Sequence, residues 1–267
     1  MPNSKIPRRP IPKFCRQELE IADLCARALW YGINYETGKS TRVSDARLLS
    51  EFASNFYEYH KNRVRFKPGI FISNINDLII ACGIKVLFRG IVDMNFHKGI
   101  NSIYQDVYPE FLKAQKTPSL ISNHRVGVNC LEKLSKGFLR NAKGNRLNLA
   151  SRVLFFLSPN LHTFNMNNNV AKFFGLPSRP HYHYQEYFEL FSIGLKTNQT
   201  KLSKYKLPPI RDGLPETIWN QIYRTDWWER RVLDLAVLIH ASPTISIDPN
   251  LRTYIRLKIR QDDIGTA

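Results

Sequence analysis

The sequence predicts a mainly α-helical protein, because apolar residues recur at helical spacing in several segments and few stretches alternate as strands do. Over residues 15–31 and 44–59, apolar side chains recur at i, i+3, i+4 and i+7, the pattern of an amphipathic helix. The 267 residues are 43% hydrophobic, which is enough to fill a sizeable core. We expect a basic arm over residues 1–14 and one helical domain over residues 15–267, either undivided or in two lobes of about 15–125 and 126–267.

Helix caps and breakers place the remaining elements. Asn76 or Asp77 is expected to cap a helix that ends at Gly83, and Asn145 one that ends at Pro159, after a turn over residues 142–144. Apolar stripes predict three more helices, over residues 131–139, 184–195 and 226–240, and a fourth that begins at Val170. Residues 201–215 resemble an exposed loop. Two segments fit strands, residues 70–72 and 255–259, and the second fits a charged helix equally well.

Positive charge is concentrated in two segments of the chain. The sequence has 39 Lys and Arg against 22 Asp and Glu, a formal net charge of +17. Residues 113–152 carry nine cations and one acid, and residues 196–211 carry five cations and no acid. Such clusters favour a polyanionic partner, because each cation that neutralises a phosphate releases condensed counterions. A solvated basic surface without a ligand is the simpler alternative.

The cysteines and the hydropathy pattern indicate the compartment. Four cysteines are scattered without a C-x-x-C pair, which fits a reducing cytoplasm and predicts no zinc site. No apolar run approaches the roughly 18–20 residues that span a bilayer, and the first 13 residues lack an apolar leader segment. We expect a cytoplasmic protein without membrane association, cofactor, bound metal or obligate protein partner.

A polar strip follows the proline that ends the 145–159 helix. It contains His162 and several asparagines, among them Asn165 and Asn167, and it leads into Val170. Asparagine is common in such places for a structural reason, since its side chain caps helices and closes turns.

The strip and its surroundings resemble the helix-hairpin-helix superfamily of DNA glycosylases, in particular bacterial proteins of the 8-oxoguanine glycosylase fold. The similarity covers roughly residues 130–240 and consists of the small-residue step Ala150-Ser151, the following apolar run, Pro159 and the segment that begins Val170-Ala171. The Tyr184/Tyr187 helix and the closing helix with Arg230-Arg231 are also similar to the compact bacterial branch. The resemblance implies a glycosylase-like fold in which two helical lobes flank a cleft.

The sequence departs from that family at two positions. The family's aspartate falls on Asn167 and the lysine of bifunctional members falls on Asn148. Without that lysine no Schiff base is expected, so strand cleavage by β-elimination is not predicted. The resemblance then implies a monofunctional enzyme in which Asn167 and Asn165 position water or sugar, and in which Asp234 or Asp226 supplies the missing negative charge.

The same resemblance implies which side chains would hold the base and the DNA backbone. A glycosylase holds its flipped base by stacking and by hydrogen bonds. Candidates for the base pocket are His162, His181, His183, Tyr184 and Trp227, although the tryptophans at 227 and 228 fit core packing better. Candidates for DNA contact are Lys136, Arg140, Lys143, Gly144, Arg146, Arg152, Lys201 and Lys204.

Together these observations predict a monofunctional glycosylase that acts on double-stranded DNA and leaves an abasic site. Compact bacterial members include anti-phage enzymes that remove modified cytosine, and Asn, His and Tyr side chains suit the hydroxyls of glucosylated hydroxymethylcytosine. The competing hypothesis is a catalytically inactive module of the same fold that binds DNA shape. A third, single-stranded RNA binding, rests on the Tyr and His residues.

Overall fold

The fold is almost entirely helical. The computed structural model describes residues 8–41, 44–54, 103, 106–107, 109, 124–138, 146–176, 183–210, 213–242 and 247–264, and every structural statement below refers to these. Within them lie nine α-helices, one short π-helical segment and a single antiparallel bridge between Ile33 and Ser40. The predicted mainly helical class is confirmed.

The helices are numbered here in chain order. They are α1 (Arg16–Trp30), α2 (Asp45–Leu49), which continues into the π-helical segment (Ser50–Ser54), α3 (His124–Phe138), α4 (Arg146–Leu157), α5 (Asn168–Phe173), α6 (His183–Leu202), α7 (Glu216–Arg224), α8 (Trp227–Ala241) and α9 (Pro249–Ile264).

Most predicted helices are present, and the differences have local causes. The 44–59 helix widens into the π-helical segment after residue 49, and the 131–139 helix begins earlier, at His124. Residues 255–259 belong to α9, so the strand interpretation was wrong: Ile255 and Ile259 are four residues apart and both are buried. Helix α7 was not predicted, since it follows a proline-rich stretch that resembles a loop. The predictions for residues 70–72, 76–83 and 142–145 lie outside the described residues.

Helix α1 forms the centre of the packing. Its N-terminus is closed by a capping box in which the thiol of Cys15 accepts from the backbone N–H of Glu18, and the carboxylate of Glu18 accepts from the backbone N–H of Cys15. The helix packs against α8 and α9. At its other end Trp30 is fully buried and makes edge contacts with Trp227 and Trp228. This aromatic cluster joins the early and late parts of the chain.

A buried guanidinium fixes the polar strip between α4 and α5. Arg230 has no exposed surface, and it donates hydrogen bonds to the backbone carbonyls of Pro159, at 2.8 Å, and Thr163, at 2.7 Å. Its Nε atom donates to Asp226 at 2.8 Å. Because these donors are arranged in a rigid planar fork, Arg230 sets the path of the backbone between the two helices.

Two tyrosines of α6 hold the same strip from the other side. The hydroxyl of Tyr184 accepts from the backbone N–H of Phe164 at 3.1 Å, and it lies 3.2 Å from the carbonyl of the same residue. The hydroxyl of Tyr187 donates to the carbonyl of Asn165 at 2.9 Å. Both rings are buried. The strip is therefore fixed between α6 and α8, which places Asn165 and Asn167 relative to α8.

The arm before α1 packs along α6. Asn198 accepts from the backbone N–H of Phe14 and donates to the carbonyl of Pro12, while Lys201 donates to the carbonyl of Phe14. These contacts fix the segment before α1 against α6. In the described parts of the chain, no helix has the length and apolarity that crossing a membrane requires.

We expect Gly127→Ala to destabilise the protein. A Cβ atom at this position would lie 2.8 Å from the carbonyl oxygen of His162, so α3 would have to move away from the strip. The expected loss in the free energy of unfolding is about 1–3 kcal/mol, measured by urea denaturation. Asn129→Ala, on the exposed side of the same helix, is the control and should change stability by less than about 0.5 kcal/mol. Equal stability of the two variants would contradict this close packing.

Candidate functional site

A cavity opens where the loop after α1 meets α4, α5 and α8. Its volume is about 450 Å³, within the range of roughly 300–1,000 Å³ that is typical of small-molecule sites. The lining is mixed, with apolar side chains from α1, α2, α4, α5 and α8 and polar ones from several of these helices and from the loop after α1. The polar lining residues are Asn34, Glu36, Thr41, Asp45, Arg152, Asn165, Asn167, Asn169, Arg231, Asp234 and Ser242.

Asp234 is a buried acid of this cavity with only one of its two oxygens hydrogen-bonded to the described residues. It is 8% exposed, and its Oδ2 atom accepts from the side-chain amide of Asn165 at 2.8 Å and from the backbone N–H of Asn165 at 3.3 Å. Its Oδ1 atom has no hydrogen-bond partner among the described residues. Burial raises the pKa of Asp234 to about 7, against the opposing effects of Arg231, Asn165 and Arg230. The carboxyl group can therefore exchange a proton near neutral pH.

Arg231, the cavity arginine that lowers the pKa of Asp234 most, is already paired with another carboxylate. Arg231 donates to both carboxylate oxygens of Asp45, at 2.7 and 3.0 Å. The pair is largely buried, with side-chain exposures of 13% and 5%. Burial raises the pKa of Asp45, although the guanidinium of Arg231 opposes it. This bidentate contact engages Nε and Nη2 of Arg231. It explains why Asp234, on the same helix, forms no ion pair with Arg231.

Asn167 caps α5 at the edge of the cavity. Its side-chain oxygen accepts from the backbone N–H groups of Asn169, at 2.9 Å, and Val170, at 3.3 Å. Because that oxygen is used for capping, the group that Asn167 can offer a ligand is its amide NH₂, a hydrogen-bond donor without charge.

Asn165 and Asn148 differ in position. Asn165 is 9% exposed and lines the cavity, where its Oδ1 atom has no partner among the described residues. Asn148 lies on α4 and is not among the lining residues; its backbone carbonyl accepts from Ser151. The structure thus brings three of the four predicted catalytic residues together, namely Asn165, Asn167 and Asp234.

The second candidate acid, Asp226, lies in the core. It is bound by Arg230, and Nδ1 of His162 lies 2.8 Å from its Oδ2 atom. Although burial acts in the opposite direction, Arg230 and His162 lower the pKa of Asp226 to about 2. Asp226 is therefore a permanently charged partner of Arg230, with no access to the cavity.

The predicted base-pocket residues that the structure describes lie in the core. His162 packs against Phe164 and Phe188, Tyr184 holds the backbone of the strip, and Trp227 is fully buried with its indole N–H donating to the carbonyl of Phe155 at 3.1 Å. None of the three lines the cavity. His181 and the side chain of His183 lie outside the described residues.

The predicted DNA-contact residues that the structure describes lie in α3, in α4 and around the end of α6. Arg152 lines the cavity, whereas Lys204 is exposed beyond the end of α6 and Lys201 is bound to the Phe14 carbonyl. Lys136 and Arg146 lie in α3 and α4, and only their backbone is described. Arg140, Lys143 and Gly144 lie outside the described residues.

The cavity residues that the sequence did not predict at a site include Asp45, Tyr187 and Arg231. In the sequence, Asp45 has the position of an acidic residue in the first turn of a helix, and Arg231 is one of many cations in a basic chain. Their pairing joins positions 186 residues apart, which periodicity within one segment does not show. Tyr187 belonged to a predicted apolar stripe, and it is buried as expected, but its hydroxyl holds Asn165.

Among the residues described, no group of three or more His, Cys, Asp or Glu side chains is placed to hold a metal ion. Comparison of the chain with family models, with curated proteins and with solved structures finds no match.

We expect Asp234→Asn to make the protein more stable than the wild type at pH 8. A carboxyl with a folded-state pKa near 7 binds its proton more tightly in the folded protein than in the unfolded chain, so stability falls between about pH 4 and pH 7. Raising the pKa of Asp234 by about three units lowers the free energy of unfolding at pH 8 by up to about 4 kcal/mol, because the ionised carboxylate is buried. A neutral amide at this position avoids that loss.

The measurement is the free energy of unfolding at pH 4 and pH 8, where the gap between variant and wild type should widen with pH. Asp248→Asn removes an exposed carboxylate that caps the backbone N–H of Asn250, a role that asparagine can fill, and is the control. An Asp234→Asn variant that is the less stable protein at pH 8 would show that Asp234 is stabilised as an anion.

Proposed function

We propose that the protein is a monofunctional DNA glycosylase that receives a flipped, modified base in the cavity and hydrolyses its N-glycosidic bond. The observation that carries the proposal is Asp234, a buried carboxyl in a ligand-sized polar cavity, with a pKa near 7 and one unpartnered oxygen. Buried, perturbed acids in cavities are characteristic of catalytic sites.

The cavity residues divide the chemistry between them. In the hydrolysis, the bond from the sugar C1′ to the base nitrogen breaks with its electron pair going to the base, and the oxygen of water bonds to C1′. The departing base takes up the proton that this water loses. As general base, ionised Asp234 would take the proton from that water. The amide NH₂ of Asn167 would donate to the water or the sugar.

The charge of the chain supports a nucleic acid as the partner. With a net charge of +17, the protein attracts duplex DNA electrostatically. Arg152 lies at the cavity, where a phosphate next to the flipped nucleotide would be held. Exposed Lys196, Lys204 and Lys206 extend the positive surface around the end of α6. Lys201 contributes less to this surface, because it is bound to the N-terminal arm.

The proposed substrate is a modified cytosine such as the glucosylated hydroxymethylcytosine of phage DNA, removed in the bacterial cytoplasm as a defence. Four asparagines and a threonine line the cavity, and their side chains can bind the hydroxyl groups of a sugar-bearing base.

The experiment is base release from duplex DNA that is unmodified, damaged in ordinary ways, or glucosylated. Alkali-dependent breaks confined to one duplex are expected from the wild type. Asp234→Asn should lower the rate by about 10²–10⁴-fold, the usual contribution of a general base, while DNA affinity stays the same. Asn129→Ala, at an exposed position of α3 that does not line the cavity, is the control and should retain activity. No breaks on any duplex would contradict the enzymatic proposal.

A second candidate, a DNA-binding module without activity, is favoured by one observation. The side-chain oxygen of Asn167 is occupied in capping α5, and the side chain brings no negative charge to the position where the similar family has an aspartate. Such a module would bind duplex DNA tightly with no breaks, and Asp234→Asn would leave binding unchanged.

A further inference from the structure

The floor of the cavity carries two hydrogen-bond acceptors that are buried and unpartnered. They are Oδ1 of Asp234 and Oδ1 of Asn165, on side chains that are 8% and 9% exposed. The two side chains are neighbours, joined by the hydrogen bond of 2.8 Å between the Asn165 amide and Oδ2 of Asp234. Buried polar atoms of this kind are rare in folded proteins, and each one without a partner is costly.

Three hydrogen-bond donors beside this floor are engaged with other acceptors. The Tyr187 hydroxyl donates to the backbone carbonyl of Asn165, the Asn165 amide donates to Asp234, and Arg231 donates to both oxygens of Asp45. No described hydrogen bond reaches either Oδ1 atom. The partner that satisfies both atoms has to come from outside the described residues and has to bring donors.

We propose that the cavity selects a nucleobase with an exocyclic amino group, whose two N–H bonds donate to Oδ1 of Asp234 and Oδ1 of Asn165. This inference rests on the proposed function, since it assumes that the ligand is a base, and it adds the feature by which the base is recognised. An amino group carries two donors on one atom. A base with a carbonyl in its place would set an acceptor against two acceptors, as uracil does in comparison with cytosine.

Charge gives the recognition a definite pH dependence. An N–H donor prefers the ionised form of Asp234, so affinity should rise as the pH passes through the pKa of this carboxyl, and the bound ligand should lower that pKa. The charged and titratable groups around Asp234 are Arg230 and Arg231 on its own helix, Tyr184 and Tyr187 on α6, Asp45 on α2 and Arg152 on α4. Burial raises the pKa of both tyrosines, so neither titrates in this range.

The test measures the binding of nucleosides to the intact protein at pH 6 and pH 8, with NMR chemical shifts as the readout. Two matched pairs differ in the amino group, deoxycytidine against deoxyuridine and deoxyguanosine against deoxyinosine. At pH 8 at least one amino-bearing member should bind about tenfold or more tightly than its partner, because the analogue without the amino group would leave both buried acceptors unpaired in the complex. For that nucleoside, affinity should be lower at pH 6.

Two variants test the assignment to these atoms. Asp234→Asn and Asn165→Leu should both reduce the preference within the pair to less than about twofold, while Asn129→Ala, outside the cavity, should keep it. Since Asp234→Asn replaces an acid by an amide of the same size, it keeps the test valid even if Asn165→Leu fails to fold. Equal affinities within both pairs, or no binding of any nucleoside, would overturn the inference and leave water as the partner of the two oxygens.

The outcomes for the inference and for the proposed function are separable. Preference for the amino-bearing nucleoside together with no base release from DNA would overturn the glycosylase proposal and keep an amino-selective site. Base release together with equal nucleoside affinities would keep the glycosylase and overturn the amino recognition.

Discussion

The buried guanidinium of Arg230 is the interaction on which the site depends. The guanidinium has no exposed surface, and it binds Asp226, the N-cap residue of its helix, and two backbone carbonyls of the strip between α4 and α5. A buried charge is tolerated only with such complete pairing, and removing one partner of a buried pair typically costs about 3–5 kcal/mol. Since the strip carries Asn165 and Asn167, the geometry of the cavity follows from this contact.

Helix α8 carries two aspartates with opposite properties, and the contrast explains the chemistry of the cavity. Asp226, at the start of the helix, lies against Arg230 and His162, which keep it ionised. Two turns further on, Asp234 faces the cavity, and the adjacent Arg231 is held by Asp45 on another helix. Burial then dominates at Asp234. Two acids on one helix are thus separated into a structural anion and a proton-exchanging group by their partners.

The sequence predicts the elements of this structure better than it predicts the relations between them. Helices α1, α4, α6 and α8 follow from apolar periodicity and from caps and breakers such as Pro159, because those signals are local. The π-helical widening and α7 do not follow, since no such signal marks them. Asn165, Asn167 and Asp234 were expected at one site from a resemblance, and they do lie together. The choice between Asp226 and Asp234 required the structure, because it depends on which arginine is paired with which distant acid.

The measurement that tests this account most directly is the titration of the aspartate side-chain carboxyls by ¹³C NMR in the intact protein. The account predicts that Asp234 titrates near pH 7 and that Asp226 stays ionised down to about pH 2. In Asn165→Ala, which removes the amide hydrogen bond to the carboxylate, the pKa of Asp234 should rise further. An Asp234 pKa near the ordinary value of about 4 would contradict the account, since the cavity would then hold an ordinary, solvated carboxylate.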